Sequence, residues 1–131
     1  MTSRNKTSVR PTDGELEILR VLWERGPSTV RDVHQCLEDE RRTGYTTVLK
    51  LLQIMTEKGL VRRDETERAH VYEARAPREE TEGVLVGDLL ERAFSGSASA
   101  LVLRALSSKK TSQQELAQIR RLLDELEGGK R

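Results

Sequence analysis

Aromatic residues are scarce in this chain, with one Trp, two Tyr and one Phe making up 3% of its 131 residues. A core with so few rings must be aliphatic, thin and built by helices. Cysteine is nearly absent as well. The single Cys36 excludes an intrachain disulfide, and no Cys/His cluster has zinc-ligand spacing, which suits a reducing cytoplasm. His34 and Cys36, two apart on an expected helix, diverge by about 200° and cannot share one metal ion. No apolar run is long enough to span a bilayer, and residues 1–10 are polar and basic without an apolar leader segment, so neither membrane insertion nor secretion is expected. Also missing are a nucleophile beside a base, a glycine-rich phosphate loop and a convergent pair of acids, which excludes an enzyme and implies no cofactor. The length allows one ordinary domain, or a compact domain with an appendage.

Charge is abundant but balanced, at 34% of residues for a formal net charge of +1. Its distribution is uneven. Between Arg41 and Arg63 stand six basic residues, Arg41, Arg42, Lys50, Lys58, Arg62 and Arg63, against the single acid Glu57. A local basic excess of this kind marks a face for a polyanion even when the global sum is near zero.

Thr12-Asp13-Gly14-Glu15 reads as a capping box, in which hydroxyl and carboxylate satisfy each other's orphan amides, so a first helix begins there. Leu16, Leu19, Val21 or Leu22, and Trp23 form its apolar stripe, and Gly26-Pro27 ends it. Ser28 or Thr29 caps a second helix over about Val30 to Asp39, with Val30, Val33 and Leu37 as the buried face. A third helix spans Tyr45 to Lys58, with Val48, Leu52 and Met55 at helical spacing and Gly59 as its stop. The pattern then changes. Leu60-Val61-Arg62-Arg63, a charged turn over 64–68 and Ala69-His70-Val71-Tyr72-Glu73 predict a two-stranded hairpin. Three short helices followed by a hairpin make a winged helix-turn-helix, the hairpin being the wing.

Beyond Pro77 the chain turns helical again, with Glu79, Glu80 and Glu82 at the end of the helix dipole that favours acids. Val84, Leu85, Leu89 and Phe94 are its apolar positions, and Ser95-Gly96-Ser97 breaks it. A fifth helix carries Leu101, Leu103 and Leu106. Thr111 or Ser112, with Glu115, opens a last helix bearing Leu116, Ile119, Leu122, Leu123 and Leu126, and order ends at Gly128-Gly129. These stripes hold too few large residues to close a core alone. Their economical partner is a second copy in an isologous dimer; the alternative is that they fold back onto their own N-terminal domain. The expected architecture is therefore mostly α with a small β-hairpin. It comprises a flexible arm (1–10), a winged-helix DNA-binding domain (11–76), a helical dimerisation region (77–127) and a disordered tail (128–131).

In a helix-turn-helix the second helix of the pair enters the major groove with its N-terminal side chains at base edges. That is the third helix here, which starts at Tyr45. With Val48, Leu52 and Met55 turned inward, Thr46, Thr47, Lys50 and Gln53 lie on or near the opposite face. Threonine bonds base edges or packs on a thymine methyl, lysine reaches guanine or phosphate, and glutamine suits adenine. Arg42, Lys58, Arg62, Arg63 and Arg68 are candidates for phosphate contacts. Each alone reads equally well as solvated surface, and the cluster carries the argument. His70, beside Val71 and Tyr72 in the wing, is expected to face solvent or pack on Tyr45 rather than to bind a ligand.

Pro11 to Ala74 closely resembles the penicillinase repressor family, the BlaI/MecI/CopY type of winged-helix regulators. The resemblance rests on Glu15-Leu16-Glu17-Ile18-Leu19 with Leu22-Trp23, on the run from Gly26 to Val33, on the run from Gly44 to Leu49, on Glu57-Lys58-Gly59-Leu60-Val61, and on Arg68-Ala69-His70-Val71-Tyr72. Glu80 to Leu126 resembles the family's dimerisation helices. The resemblance implies a homodimer on an inverted-repeat operator, repressing a resistance or homeostasis gene, and induction by proteolysis under a membrane-bound sensor metalloprotease. The bond cut in the antibiotic-responsive members matches Arg104-Ala105 here, where the best-known members carry Asn-Phe. The cysteine-rich C-terminal motif of copper-responsive relatives has no counterpart after Cys36. Leu49, Leu51 and Ile54 stand where relatives often have polar or basic residues. Two other readings stay open on the residues alone: a winged helix used for binding protein, and a repressor of another winged-helix family.

Overall fold

The computed structural model describes residues 10–41 and 43–128. Residues 1–9 of the expected arm, Arg42, and residues 129–131 of the expected tail lie outside the described residues.

Helix α1 (Asp13–Arg25) starts at Thr12 with both halves of the capping box: the Glu15 amide donates to Thr12 Oγ1 at 3.3 Å and the Thr12 amide to Glu15 Oε1 at 2.9 Å. It stops at Gly26, whose φ of 89° an L side chain rarely adopts. Strand β1 (Ser28–Thr29) follows, then α2 (Val30–Arg41) and α3 (Tyr45–Lys58). Thr29, not Ser28, caps α2, in a reciprocal pair with Asp32 at 3.1 Å in each direction. Ser28 is buried and donates its hydroxyl to the Gly26 carbonyl at 2.9 Å. Gly59, with φ of 83°, ends α3 in the left-handed conformation as expected of it.

Strands β2 (Val61–Asp64) and β3 (Val71–Ala74) form the wing in antiparallel register, Val61 opposite Ala74 and Asp64 opposite Val71. The sheet has three strands, not the two expected, in the order β1-β3-β2, because Ser28 and Thr29 pair with Tyr72 and Val71. A two-residue strand is too short to show a period-2 pattern.

One apolar cluster joins these elements. It consists of Ile18, Leu19, Val21 and Leu22 from α1, Val30, Val33 and Leu37 from α2, Val48, Leu52 and Met55 from α3, and Val61 and Tyr72 from the sheet. The α1 face differs from the expected stripe: Ile18 is fully buried, while Leu16 and Trp23 are half-buried. Glu15 opens that face, and a carboxylate at its first position disguises the helical period.

The chain divides into two compact units between Gly87 and Asp88, within α4 (Arg78–Phe94). In the first unit, the Trp23 indole donates to the Ala76 carbonyl at 3.0 Å, and the Arg78 guanidinium lies 5.5 Å from the centre of the Trp23 ring. The second unit holds the end of α4, then α5 (Ala98–Ser108) capped by Ser97 and α6 (Gln113–Gly128), before which the Ser112 hydroxyl accepts the Glu115 amide at 3.0 Å. Ser95 and Gly96, both at positive φ, make the break before α5. No described residue of the second unit is buried. Among the described residues, no helix is long and apolar enough to cross a membrane.

The α2 cap generates a pH prediction. Bonding to the Thr29 amide, then to the Thr29 hydroxyl and beside Arg25 and Arg31, holds the Asp32 carboxyl below its ordinary value of 3.8 against the opposing effect of desolvation. A depressed folded-state pKa stabilises the fold fully above the unfolded value, and that contribution is lost as pH falls through the folded value. Asp32→Asn should therefore lower the urea midpoint at pH 7, with the gap from wild type narrowing below pH of about 4. A gap constant with pH would contradict the assignment.

Candidate nucleic-acid interface

The exposed side of the winged helix is built around the start of α3. Four other helices, α1, α2, α5 and α6, begin with a side-chain oxygen accepting a first-turn amide. Helix α3 begins at Gly44 without such a cap and has no acid in its first turn, so no side chain among the described residues caps its leading amides at the positive end of its dipole. Tyr45 stands at this end, 49% exposed, with the His34 ring against it edge-on at 5.7 Å between centroids. His34 thus packs on Tyr45, while His70 is exposed, in line with the solvent-facing alternative.

Val48, Leu52 and Met55 are completely buried, as their spacing implied. Thr46, Thr47, Lys50 and Gln53 are all exposed. Thr46, Lys50 and Gln53 follow i, i+4, i+7 spacing and form one stripe, with Thr47 beside it. Leu49, Leu51 and Ile54 are half-buried on its flanks.

The basic residues separate into two groups. Lys58 Nζ lies 2.7 Å from Glu15 Oε1, and that carboxylate is 2% exposed. Arg62 meets Glu73, its cross-strand partner, at 3.0 Å. Arg63 Nε lies 2.7 Å from Glu65, and the Tyr72 hydroxyl, followed by Glu65, raises the pKa of its guanidinium. Lys50 and Arg68 are exposed and form no ion pair among the described residues. Arg31 is exposed too, acts on the neighbouring Asp32 carboxyl, and was not singled out from sequence; the only signal there was its position two residues past the Thr29 cap.

A groove of about 560 Å³ runs between these parts. Thr29, Val30 and Arg31 line it from the start of α2, Tyr45 and Leu49 from α3, and Arg68, Ala69, His70 and Tyr72 from the wing. A second hollow, of about 340 Å³ between α1 and α2, has Glu17 and Glu24 in its lining together with Cys36, whose Sγ lies 3.6 Å from Arg25 Nη1.

A helix-turn-helix whose second helix starts uncapped and acid-free, with an adjoining wing, is the architecture of winged-helix DNA-binding proteins. The penicillinase repressor family model matches residues 11–125. Transcriptional regulator BlaI of Mycobacterium tuberculosis is 37% identical over 120 residues, covering 88% of this chain and 86% of the relative. The penicillinase repressor of Bacillus licheniformis is 23% identical over 114 residues, covering 87% and 89%. The crystal structure of YusO from Bacillus subtilis superposes with a TM-score of 0.53 at 19% identity over 97% of this chain and 80% of that one, a likeness of fold. The chain belongs to the penicillinase repressor family, a family of transcriptional repressors and not of enzymes.

The internal partner of Lys58 generates a stability prediction. Lys58→Met leaves the buried Glu15 carboxylate without its cation and should cost about 1–3 kcal/mol. Denaturant unfolding measures this, and an unchanged midpoint would show that the pair contributes nothing.

Proposed function

We propose that the chain represses transcription as a homodimer, each copy laying α3 in the major groove over one half of an inverted-repeat operator. The observation that carries this reading is the exposed, uncapped start of α3 with its polar stripe. Thr46, Thr47, Lys50 and Gln53 meet base edges, and Tyr45 and the leading amides meet the backbone at the helix start. Arg68 and Arg42 add phosphate contacts. The winged-helix part, 11–76, carries this function, and 77–127 carries assembly.

The dimer reading is supported by the second unit, in which no described residue is buried although leucines recur on all its helices. Leu89, Leu103, Leu122, Leu123 and Leu126 are about half exposed or more, and Leu85, Phe94, Leu101, Leu106, Leu116 and Ile119 are partly covered. A second copy offering the same stripes would bury them symmetrically. The regulated gene is a resistance or stress-response gene, and the repressor works in the cytoplasm. Its inactivation is by cleavage at Arg104-Ala105 under a membrane-bound sensor metalloprotease; both residues are exposed on α5.

Lys50→Ala should weaken binding to the chain's own upstream duplex by about 1–3 kcal/mol and relax its preference at particular base pairs, with a much smaller effect on a scrambled duplex. Equal losses on both duplexes would contradict the groove assignment. Cells expressing the repressor and exposed to a β-lactam should show the chain cut at Arg104-Ala105 as the target gene is released. Release of the gene with the chain intact would contradict the cleavage route.

A further inference from the structure

The turn of the wing carries charge of the wrong sign for an element that approaches DNA. Across the hairpin, Arg62, Arg63 and Arg68 stand against Asp64, Glu65, Glu67 and Glu73, so the hairpin is net negative in a chain that is net positive. Asp64, Glu65 and Glu67 are all exposed where β2 turns towards β3. Asp64 Oδ1 accepts the Thr66 amide at 2.9 Å, and bonding to Thr66 holds this carboxyl below its ordinary value of 3.8, so it is charged at neutral pH. Arg62 and Arg63 are engaged by Glu73 and Glu65, which leaves Asp64 and Glu67 against the single unpaired Arg68. Among the described residues no His, Cys, Asp and Glu side chains are grouped to hold a metal ion, so the turn is not built as a cation site. It does stand beside α3: Val61 and Tyr72 share the core cluster with that helix, and Arg68 and His70 line the same groove as Tyr45 and Leu49.

We infer that the acidic turn of the wing limits sequence-independent binding, by repelling the phosphates that flank the site α3 reads. The inference rests on the reading that α3 enters the major groove, because that docking brings the wing up to the neighbouring backbone. Repulsion between a carboxylate and a phosphate is the same whatever the bases, since the backbone carries no sequence information. It therefore subtracts from the electrostatic contribution that supplies essentially all non-specific binding. Contacts from Thr46, Thr47, Lys50 and Gln53 to base edges are added only at the right sequence. With the first contribution held down, the chain stays only where the second is present. A repulsive element placed next to an attractive one is a general route to discrimination.

Fluorescence anisotropy of the full chain on its own upstream duplex and on a scrambled duplex of equal length, at low and at physiological salt, tests this. Glu67→Gln should raise the affinity for both duplexes by the same factor, about 2- to 3-fold per bound wing at low salt, as for a unit charge about 7 Å from a phosphate in water. The gain should shrink as salt screens the charge. Glu65→Gln should raise affinity by at least as much, because it also releases Arg63. Glu80→Gln, which removes the same charge from the first turn of α4, should leave both affinities at the wild-type level. Urea midpoints confirm that each variant is folded. Unchanged or weaker binding by Glu67→Gln, or an equal gain from Glu80→Gln, would overturn the inference while leaving the docking of α3 intact. Equal binding of the wild-type chain to both duplexes would overturn the reading beneath it and the inference with it.

Discussion

Tyr72 sits 2% exposed in the one buried apolar cluster that the described residues form, and that cluster draws on residues from Ile18 to Tyr72 alone. Thin aliphatic supply is the constraint behind the rest of the architecture. Three short helices bury one face each, and the wing is fastened to them by Val61 and Tyr72, so the position of the wing beside α3 follows from core packing. The outer face of α3 carries threonine, lysine and glutamine, with Leu49, Leu51 and Ile54 half-buried on its flanks.

The same constraint governs the C-terminal helices. In the proposal a second copy covers the leucines that one copy leaves exposed or only partly covered, because most helical stability comes from packing an apolar face. Repression and assembly are thereby coupled in the proposal. One copy offers one recognition helix, and a second copy completes both the apolar core of the tail and the symmetry of the operator.

Electrostatics refine this picture more than net charge suggests. Exposed pairs such as Arg62–Glu73 contribute little stability on their own, at about 0–1 kcal/mol. Lys58 is different in kind, since it answers a buried carboxylate that also accepts the Thr12 amide, tying the start of α1 to the end of α3.

Much of this was legible in the sequence where strong local chemistry and a long period agreed. Tyr45 to Lys58 was read with the bounds the structure has, because three apolar residues at helical spacing run into a glycine that must adopt positive φ. The Thr12 box was equally legible. Ile18 was not, because Glu15 interrupts the apolar pattern of its face. Strand β1 was hidden by its length, and both wing strands begin later than their composition suggested, at Val61 and Val71 rather than Leu60 and Ala69. Cations were legible as a cluster but not by partner. Which of them meet an internal carboxylate depends on contacts such as Lys58 to Glu15, 43 residues apart in sequence, which no window reveals.

In the proposal, two copies of this chain together recognise one DNA site. It is tested most directly by titrating the purified chain into its own upstream duplex while following the mass of the complex by sedimentation, beside a scrambled duplex of equal length. The account predicts a complex of two chains on the upstream duplex at concentrations where the scrambled one stays free. Equal binding to both duplexes, or a saturated complex containing a single chain, would contradict it.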